Sequence, residues 1–395
     1  MNAVARASIA AIDQEDRRRQ TRRLDSRQTP HQRINGHERL AFCSNDYLGL
    51  AADPRIAQAA MAAAATYGVG AGAAHLINGH HAEHEALETE LAQATRREAA
   101  LLFSTGYMAN IGVLQTLSDR HTVVFEDRLN HASLIDAARI QRASTQRYDH
   151  GDAHHLAARL TARAPRRRRH ERWIIVTDGV FSMDGDIAPL PALVELAQRF
   201  DAWLVVDDAH GFGVLGHHGG GTLDSLQLCA AQVPVLIATL GKALGTAGAF
   251  IAGDKTLIEW IRQRARTYIY TTAQPPLIAA ATRAALAIMR DEPQRRASLQ
   301  RHIAKFTQAI DRTDLERMPS STPIQPIKVP GGHDADAVAW AQRLDDLGLL
   351  VPAIRSPTVP SGQSRLRVTL SAAHTDADIE HLIDALLATS PQART

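Results

Sequence analysis

The sequence predicts an α/β protein with a mostly parallel central sheet flanked by helices and a smaller α+β domain after it. Three observations carry that prediction. Between about residue 100 and residue 252, short apolar or β-branched runs (VVFED, RWIIVTDG, AWLVVDDAH, VLIATLG, AFIAG) alternate with helical patterns such as LPALVELAQRFD, as parallel strands with crossover helices require. Beyond Pro275-Pro276 the alternation stops, and a long amphipathic stretch leads to IQPIKV, a helix over 334–347, a strand at RLRVTL and a final helix over 376–388. With 395 residues, the chain is also longer than one hydrophobic core usually serves.

In chain order, residues 1 to about 30 read as a charged surface helix carrying Arg17 to Arg19, Arg22 and Arg23 and ended by Pro30. ERLAFCSNDYLGL follows, then an Ala-rich helix, the glycine-bearing loop GVGAGAAHLING, and a helix with Leu87, Leu91 and Ala94 on one face. The expected division is an N-terminal segment over 1–45, a large α/β domain over 46–275 and a small α+β domain over 276–395.

Forty-four basic residues face 42 acidic ones, a net charge of only +2, so no global field points to nucleic acid or an anionic membrane, and a small-molecule site is expected. The N-terminus is charged where a signal peptide is apolar, and the Ala-rich run is too short to span a bilayer. Cys43 and Cys229 lie far apart. A reduced, cytoplasmic protein is the expectation. The basic residues are 40 Arg and only four Lys, at 242, 255, 305 and 328, so chemistry that needs an amine has few candidates.

AWLVVDDAHGFGVLG puts Asp207 and His210 where a buried strand gives way to a glycine-rich loop, the place where open α/β sheets bind ligands. A carboxylate there serves catalysis or caps a helix, and the pattern alone does not choose. VLIATLGKALGTAGAF puts Thr239 and Lys242 at the end of another apolar strand. The other three lysines hold ordinary surface positions, whereas small neighbours around Lys242 leave room for a ligand and desolvation there favours a reactive amine. A phosphate-loop motif is excluded because positions 236 and 243 are Leu and Ala, and the cluster Gly68, Gly70, Gly72 fails the dinucleotide pattern at His75.

In STGYMANIG, Gly106 and Tyr107 begin a helix whose free amides suit a phosphate, although many helices begin this way. His131 precedes an N-cap-like Ser133 and either caps that helix or offers a flat ring to an aromatic ligand. His80, His81, His84 and Glu85 have helical spacing but lack H-E-x-x-H, and 19 histidines make chance clusters common, so no metal is assigned. The run Arg166 to Arg169 reads as a solvated loop.

Taken in order, SNDYLGL, STGYMAN, NHASLIDAA, TDGVFSMDGD, VVDDAHGFGVLG, ATLGKALG, IYTTAQPP and SPTVPSGQSRLRVTLSAAHT resemble the α-oxoamine synthase family of fold-type-I pyridoxal-phosphate enzymes over nearly the whole chain. The resemblance implies that Lys242 carries pyridoxal 5'-phosphate, that Asp207 faces its ring nitrogen, that His131 stacks on the ring and that Ser182 and His210 lie near its phenolic oxygen. It implies Gly106, Tyr107 and Thr239 at the phosphate, with Thr272 reaching the phosphate of a neighbour in a homodimer. Arg355 matches the arginine for the amino-acid carboxylate. Asn45, Thr358 and Arg22 match substrate contacts. AIRSPTVPSGQSRLRVTL and NGHHAEH look most like members that join L-alanine to a pimeloyl thioester, on coenzyme A or acyl carrier protein; members using glycine or serine are the alternative. Asp178 stands where the family pattern expects glutamate, and Ala74-His75 where Ser-Arg is common.

Overall fold

The structure, a computed structural model, describes residues 1–14, 18, 21–140 and 143–391. Helix α1 (Asn2–Gln14) precedes the hairpin β1 (His31–Ile34) and β2 (His37–Ala41). Next come α2 (Pro54–Tyr67), a π-helical turn over His75–Gly79, α3 (Ala82–Ala94), β3 (Ala99–Phe103), α4 (Gly106–Leu117), β4 (Thr122–Asp127), α5 (Ala132–Ile140) and β5 (Ser144–Tyr148). The middle continues through α6 (Ala153–Arg163), β6 (Arg172–Asp178), α7 (Leu190–Arg199), β7 (Ala202–Asp207), α8 (Thr222–Ser225), β8 (Val235–Thr239), β9 (Ala249–Gly253), α9 (Lys255–Arg264) and α10 (Arg266–Ile269). The last part holds α11 (Pro276–Asp291), α12 (Pro293–Ile310), β10 (Ile324–Lys328), α13 (Asp334–Asp346), β11 (Leu349–Leu350), β12 (Ala353–Ile354), β13 (Arg365–Thr369) and α14 (Asp376–Thr389).

Seven strands form the central sheet in the order β3-β9-β8-β7-β6-β4-β5, parallel throughout except for β9, which runs antiparallel to both its neighbours. β4 is buried at every position, and so are the last six residues of β6 and the last four of β7, because helices cover both faces. That explains the unbroken runs VVF, WIIV and LVV in the sequence. Edge strand β5 reads STQRY and buries only Tyr148, which leaves it no apolar run to announce it. Two three-stranded sheets complete the fold. β10-β13-β12 is one, and β1-β2-β11 ties residues 31–41 to 349–350 in the other.

The N-terminal expectation needs correcting. Helix α1 is described over Asn2–Gln14, and the segment carrying Arg22 and Arg23 pairs with the hairpin, with Asp25 N–H donating to Arg33 O at 2.7 Å and Leu24 bridging Ile34. A run of charges offers no apolar stripe to keep a helix on the surface, whereas β1 offers free backbone partners. Arg17 and Arg19 lie outside the described residues.

A candidate active site at the carboxyl ends of the strands

The parallel strands β4, β6, β7 and β8 all point their carboxyl ends at one crevice, and Asp207, His210, Lys242 and His131 cluster there. Asp207 ends β7, beside Asp178 at the end of β6 in the same register. Both carboxylates are buried. Burial and the neighbouring Asp207 charge raise Asp178 well above the usual carboxylate range. Its Oδ2 accepts the His131 amide at 2.6 Å, which fixes the start of α5. The shorter carboxylate at 178 therefore still reaches a backbone partner.

Asp207 is held from behind. Asn110, on the buried face of α4, donates to Asp207 Oδ2 at 2.6 Å and to Ser133 Oγ at 2.8 Å, while the Ala209 amide donates to Asp207 Oδ1 at 3.1 Å. Ser133 Oγ in turn meets His131 Nδ1 at 2.6 Å. Of the two readings left open for His131, the cap is therefore present, and its ring remains on the exposed side of the network.

Lys242 follows β8, and its Nζ lies 2.9 Å from His210 Nε2. His210 Nδ1 is 2.6 Å from Tyr47 Oη, which lies 3.2 Å from Asn45 Oδ1. Burial pushes His210 well below the ordinary imidazole range and lowers the Lys242 amine, against the pull of Asp207 and Asp178. A neutral imidazole with Nδ1–H donating to Tyr47 leaves Nε2 free to accept from the amine. Gly245 makes the close approach possible. At φ +65° it brings the Lys242 loop so near Ala51 that an added Cβ would sit 2.3 Å from the Ala51 amide nitrogen.

Arg367 completes this side. Buried in β13, it donates to Ser182 O at 2.6 Å and Thr369 Oγ1 at 2.9 Å, and it reaches Asn45 Oδ1 at 3.5 Å. No bonded carboxylate neutralises it among the described residues. Arg22 acts on the same corner, since its charge and that of Arg367 both bear on the Cys43 thiol, although burial raises that thiol overall. Arg355 and Thr358 sit together on the loop after β12, with Thr358 N–H donating to Arg355 O at 3.0 Å, and no hydrogen bond joins Arg355 to the Lys242 network among the described residues.

The amides of Gly106 and Tyr107 occupy the first turn of α4, where no helical carbonyl reaches them, and a Cβ at Gly106 would meet open space. Tyr107 Oη donates to Asp136 at 2.6 Å. Thr239 closes β8 with its hydroxyl on Gly248 O, and Thr272 is exposed. Sequence reasoning missed Tyr47, Asn110 and Arg367. Only Arg367 left a signal, because two arginines two apart in the buried strand RLRVT must find polar partners on one face.

The histidine cluster forms, with a change of membership. His75, His80 and His84 place ring nitrogens within 4.8 Å of one another. His84, however, accepts the His81 amide at Nδ1 and donates to Gln274 O from Nε2, so both its nitrogens are engaged. His75 packs flat on Tyr268 with centroids 5.0 Å apart, and burial lowers it to about 3. The departure from Ser-Arg thus exchanges a cation for a neutral stacking ring.

Residues 38–386 match the family of class I and II aminotransferases. A protein of Thioalkalivibrio sulfidiphilus named 8-amino-7-oxononanoate synthase is 54% identical over 368 residues, which is 93% of this chain and 92% of that one. The chain belongs to the 8-amino-7-oxononanoate synthase family. A solved 8-amino-7-oxononanoate synthase from Francisella tularensis superposes with a TM-score of 0.75 at 30% identity, covering 88% of this chain and 96% of its own. A serine palmitoyltransferase from S. paucimobilis, solved with pyridoxal phosphate and myriocin bound, superposes with a TM-score of 0.88 at 27% identity, over 93% and 92% of the two chains. The fold is that of fold-type-I enzymes, and this member of the synthase family is a pyridoxal-phosphate-dependent transferase of the acyltransferase type. Its crevice has the donor set that the cofactor calls for. A buried amine at Lys242 suits the aldehyde, a carboxylate fixed by Asn110 suits the pyridine nitrogen, and open helix amides at Gly106 and Tyr107 suit the phosphate.

Proposed function

We propose that the chain catalyses the decarboxylative condensation of L-alanine with a pimeloyl thioester to give 8-amino-7-oxononanoate, a step of biotin synthesis. The observation that carries this reading is 54% identity to the named synthase over nearly the whole chain, with Lys242, Asp207, His210 and His131 gathered in one crevice. When bound, pyridoxal phosphate supplies an electron sink for the bonds broken at the α-carbon of the amino acid.

The residues then divide the work. Lys242 Nζ would hold the cofactor and, with L-alanine bound, would take the α-proton, a task its lowered basicity suits. The same amine returns a proton to that carbon after carbon dioxide leaves. Asp207 keeps a proton on the ring nitrogen, and Asn110 holds its carboxylate in line. His131 provides a flat face. His210 and Ser182 serve the phenolic oxygen, and Gly106, Tyr107 and Thr239 hold the phosphate. Arg355 takes the alanine carboxylate, and Asn45, Thr358 and Arg22 line the route of the acyl donor, which arrives on coenzyme A or acyl carrier protein.

The active form is a homodimer in which Thr272 is offered to the phosphate of a second copy. Val69, Ile77 and Tyr270 are 77%, 79% and 70% exposed, and Ala273 N–H donating to Ala73 O at 2.9 Å ties the segment after Thr272 to the loop between Val69 and Ile77, which offers apolar side chains to a subunit contact. We place this work in the cytoplasm, where free thiols such as Cys43 and Cys229 are usual; among the described residues no helix is long and apolar enough to cross a membrane.

A serine-using reading draws on the fold likeness to serine palmitoyltransferase, but identity falls to 27% there, half that of the synthase. The test is the visible spectrum of the cofactor-loaded protein during parallel titration with L-alanine, glycine and L-serine, followed by pimeloyl-CoA. A selective response to L-alanine supports the proposal. Selectivity for glycine or serine moves the substrate, and failure to take up the cofactor removes the reading.

A further inference from the structure

His150 stands outside the crevice, between two of the turns that build it. Its Nδ1 lies 3.1 Å from Asp127 Oδ1 and its Nε2 lies 3.0 Å from Asp186 Oδ2, with the ring set edge-on against Phe181 at 4.4 Å. Carboxylates only accept hydrogen bonds, so an imidazole that satisfies both must carry a proton on each nitrogen. The bridge is therefore a cation between two anions.

Each anion belongs to an active-site turn. Asp127 ends β4, is 1% exposed, and accepts the amides of Leu129 and Gly151, which shapes the turn that delivers Asn130 and His131. Asn130 then donates to Val176 O, and His131 is tied to Asp178. Asp186 lies in the turn that carries Ser182. That turn is closed by Phe181 N–H to Asp186 O at 3.0 Å and Gly185 N–H to Phe181 O at 2.8 Å. Its far side is held by Arg367 on Ser182 O and by the ion pair of Arg365 with Asp184.

We propose that His150 is a positioning residue: an imidazolium that fixes the turn before His131 and the turn carrying Ser182 at one separation by bridging Asp127 and Asp186. This rests on the proposed function in so far as His131 and Ser182 meet the cofactor. The other charges nearby are already matched, since Asp184 pairs with Arg365 and Asp149 with Arg128 and His155. Burial works against the charge, and the two carboxylates overcome it, raising His150 from 6.5 to about 10. A folded value above the unfolded one means that the stabilisation from the bridge is fully present below about 6.5 and is lost as pH rises through about 10, where the bridge itself discharges.

The test follows hydrogen exchange in the full-length protein, with and without cofactor, for His150→Gln, which keeps size and one donor, and for Asp186→Asn, which keeps shape and loses the charge. Exchange in 128–131 and in 181–187 rises together by about tenfold in both variants, the dissociation constant for pyridoxal phosphate rises by a similar factor, and exchange in β7 is unchanged. After correction for intrinsic rates, both segments of the wild type lose protection together near pH 10, and His150→Gln shows no such step. Loosening of 181–187 alone, or unchanged cofactor affinity, overturns the proposal. If His150→Gln does not fold, Asp186→Asn decides. If the wild type itself binds no pyridoxal phosphate, the proposed function fails and the exchange data still judge the bridge.

Discussion

The chemistry asked of Lys242 depends on the balance struck around one amine. Burial lowers it, while Asp207 and Asp178 pull the other way, a balance that suits the amine to the attachment and proton removal proposed for it. Lys242→Ala leaves turnover below roughly one part in 10⁴ of the wild type, because no other lysine is within reach and solvent replaces neither function. The assay is product formation from L-alanine and pimeloyl-CoA. Asn110 is the residue whose importance the sequence hid. It lies in STGYMANIG, but nothing in that string says that it meets Asp207, 97 positions later. Asn110→Ala removes a buried hydrogen bond to a charged group, so the urea midpoint falls by an amount worth about 1.5–3 kcal/mol, and cofactor affinity falls with it. The same blindness covers Tyr47 and His210, separated by 163 positions. Strand ends can be read from hydrophobic pattern, but the partner that a side chain meets across the crevice cannot.

Elements fared better than contacts, for a physical reason. β4, β6, β7 and β8 are buried and rich in Val, Ile and Leu, and the loops after them hold the polar residues, so pattern and burial agree. β1, β2, β5 and the short β11 and β12 lack that agreement and escaped notice, and so did β3, whose AALLF is buried but has no β-branched residue. The Lys242 loop depends on its glycine. Gly245→Ala meets both a positive φ and the Ala51 amide, so it destabilises by about 1–3 kcal/mol and lowers kcat through displacement of Lys242, as thermal melting and kinetics on the same preparation will show. His374 ties the N-terminal hairpin to the last sheet, accepting the Ser371 amide and donating to Ala41 O while stacking on Phe42. Burial lowers it from 6.5 to about 4. A depressed folded value means that its contribution is present above about 6.5 and is lost as pH falls through about 4. Urea unfolding between those limits loses stability on the order of 2–3 kcal/mol from this group, and His374→Gln flattens that part of the profile.

At the scale of the molecule, the crevice is assembled from distant parts of the chain. Asn45 and Tyr47 come from one end, Asp207, His210 and Lys242 from the middle, and Arg367 from close to the other end. The proposed homodimer adds a further condition. Ile77→Asp, at an exposed apolar side chain, yields a monomer by sedimentation that has lost activity while keeping its circular dichroism, and an active monomer would remove the homodimer from the scheme. The position of Arg367 also imposes an order on synthesis. A ribosome that has released the chain only as far as α11 has made the lysine and the aspartate but not the arginine that holds Ser182. A cofactor captured at that moment would enter a half-walled crevice open to water, so productive loading waits until β13 has been made.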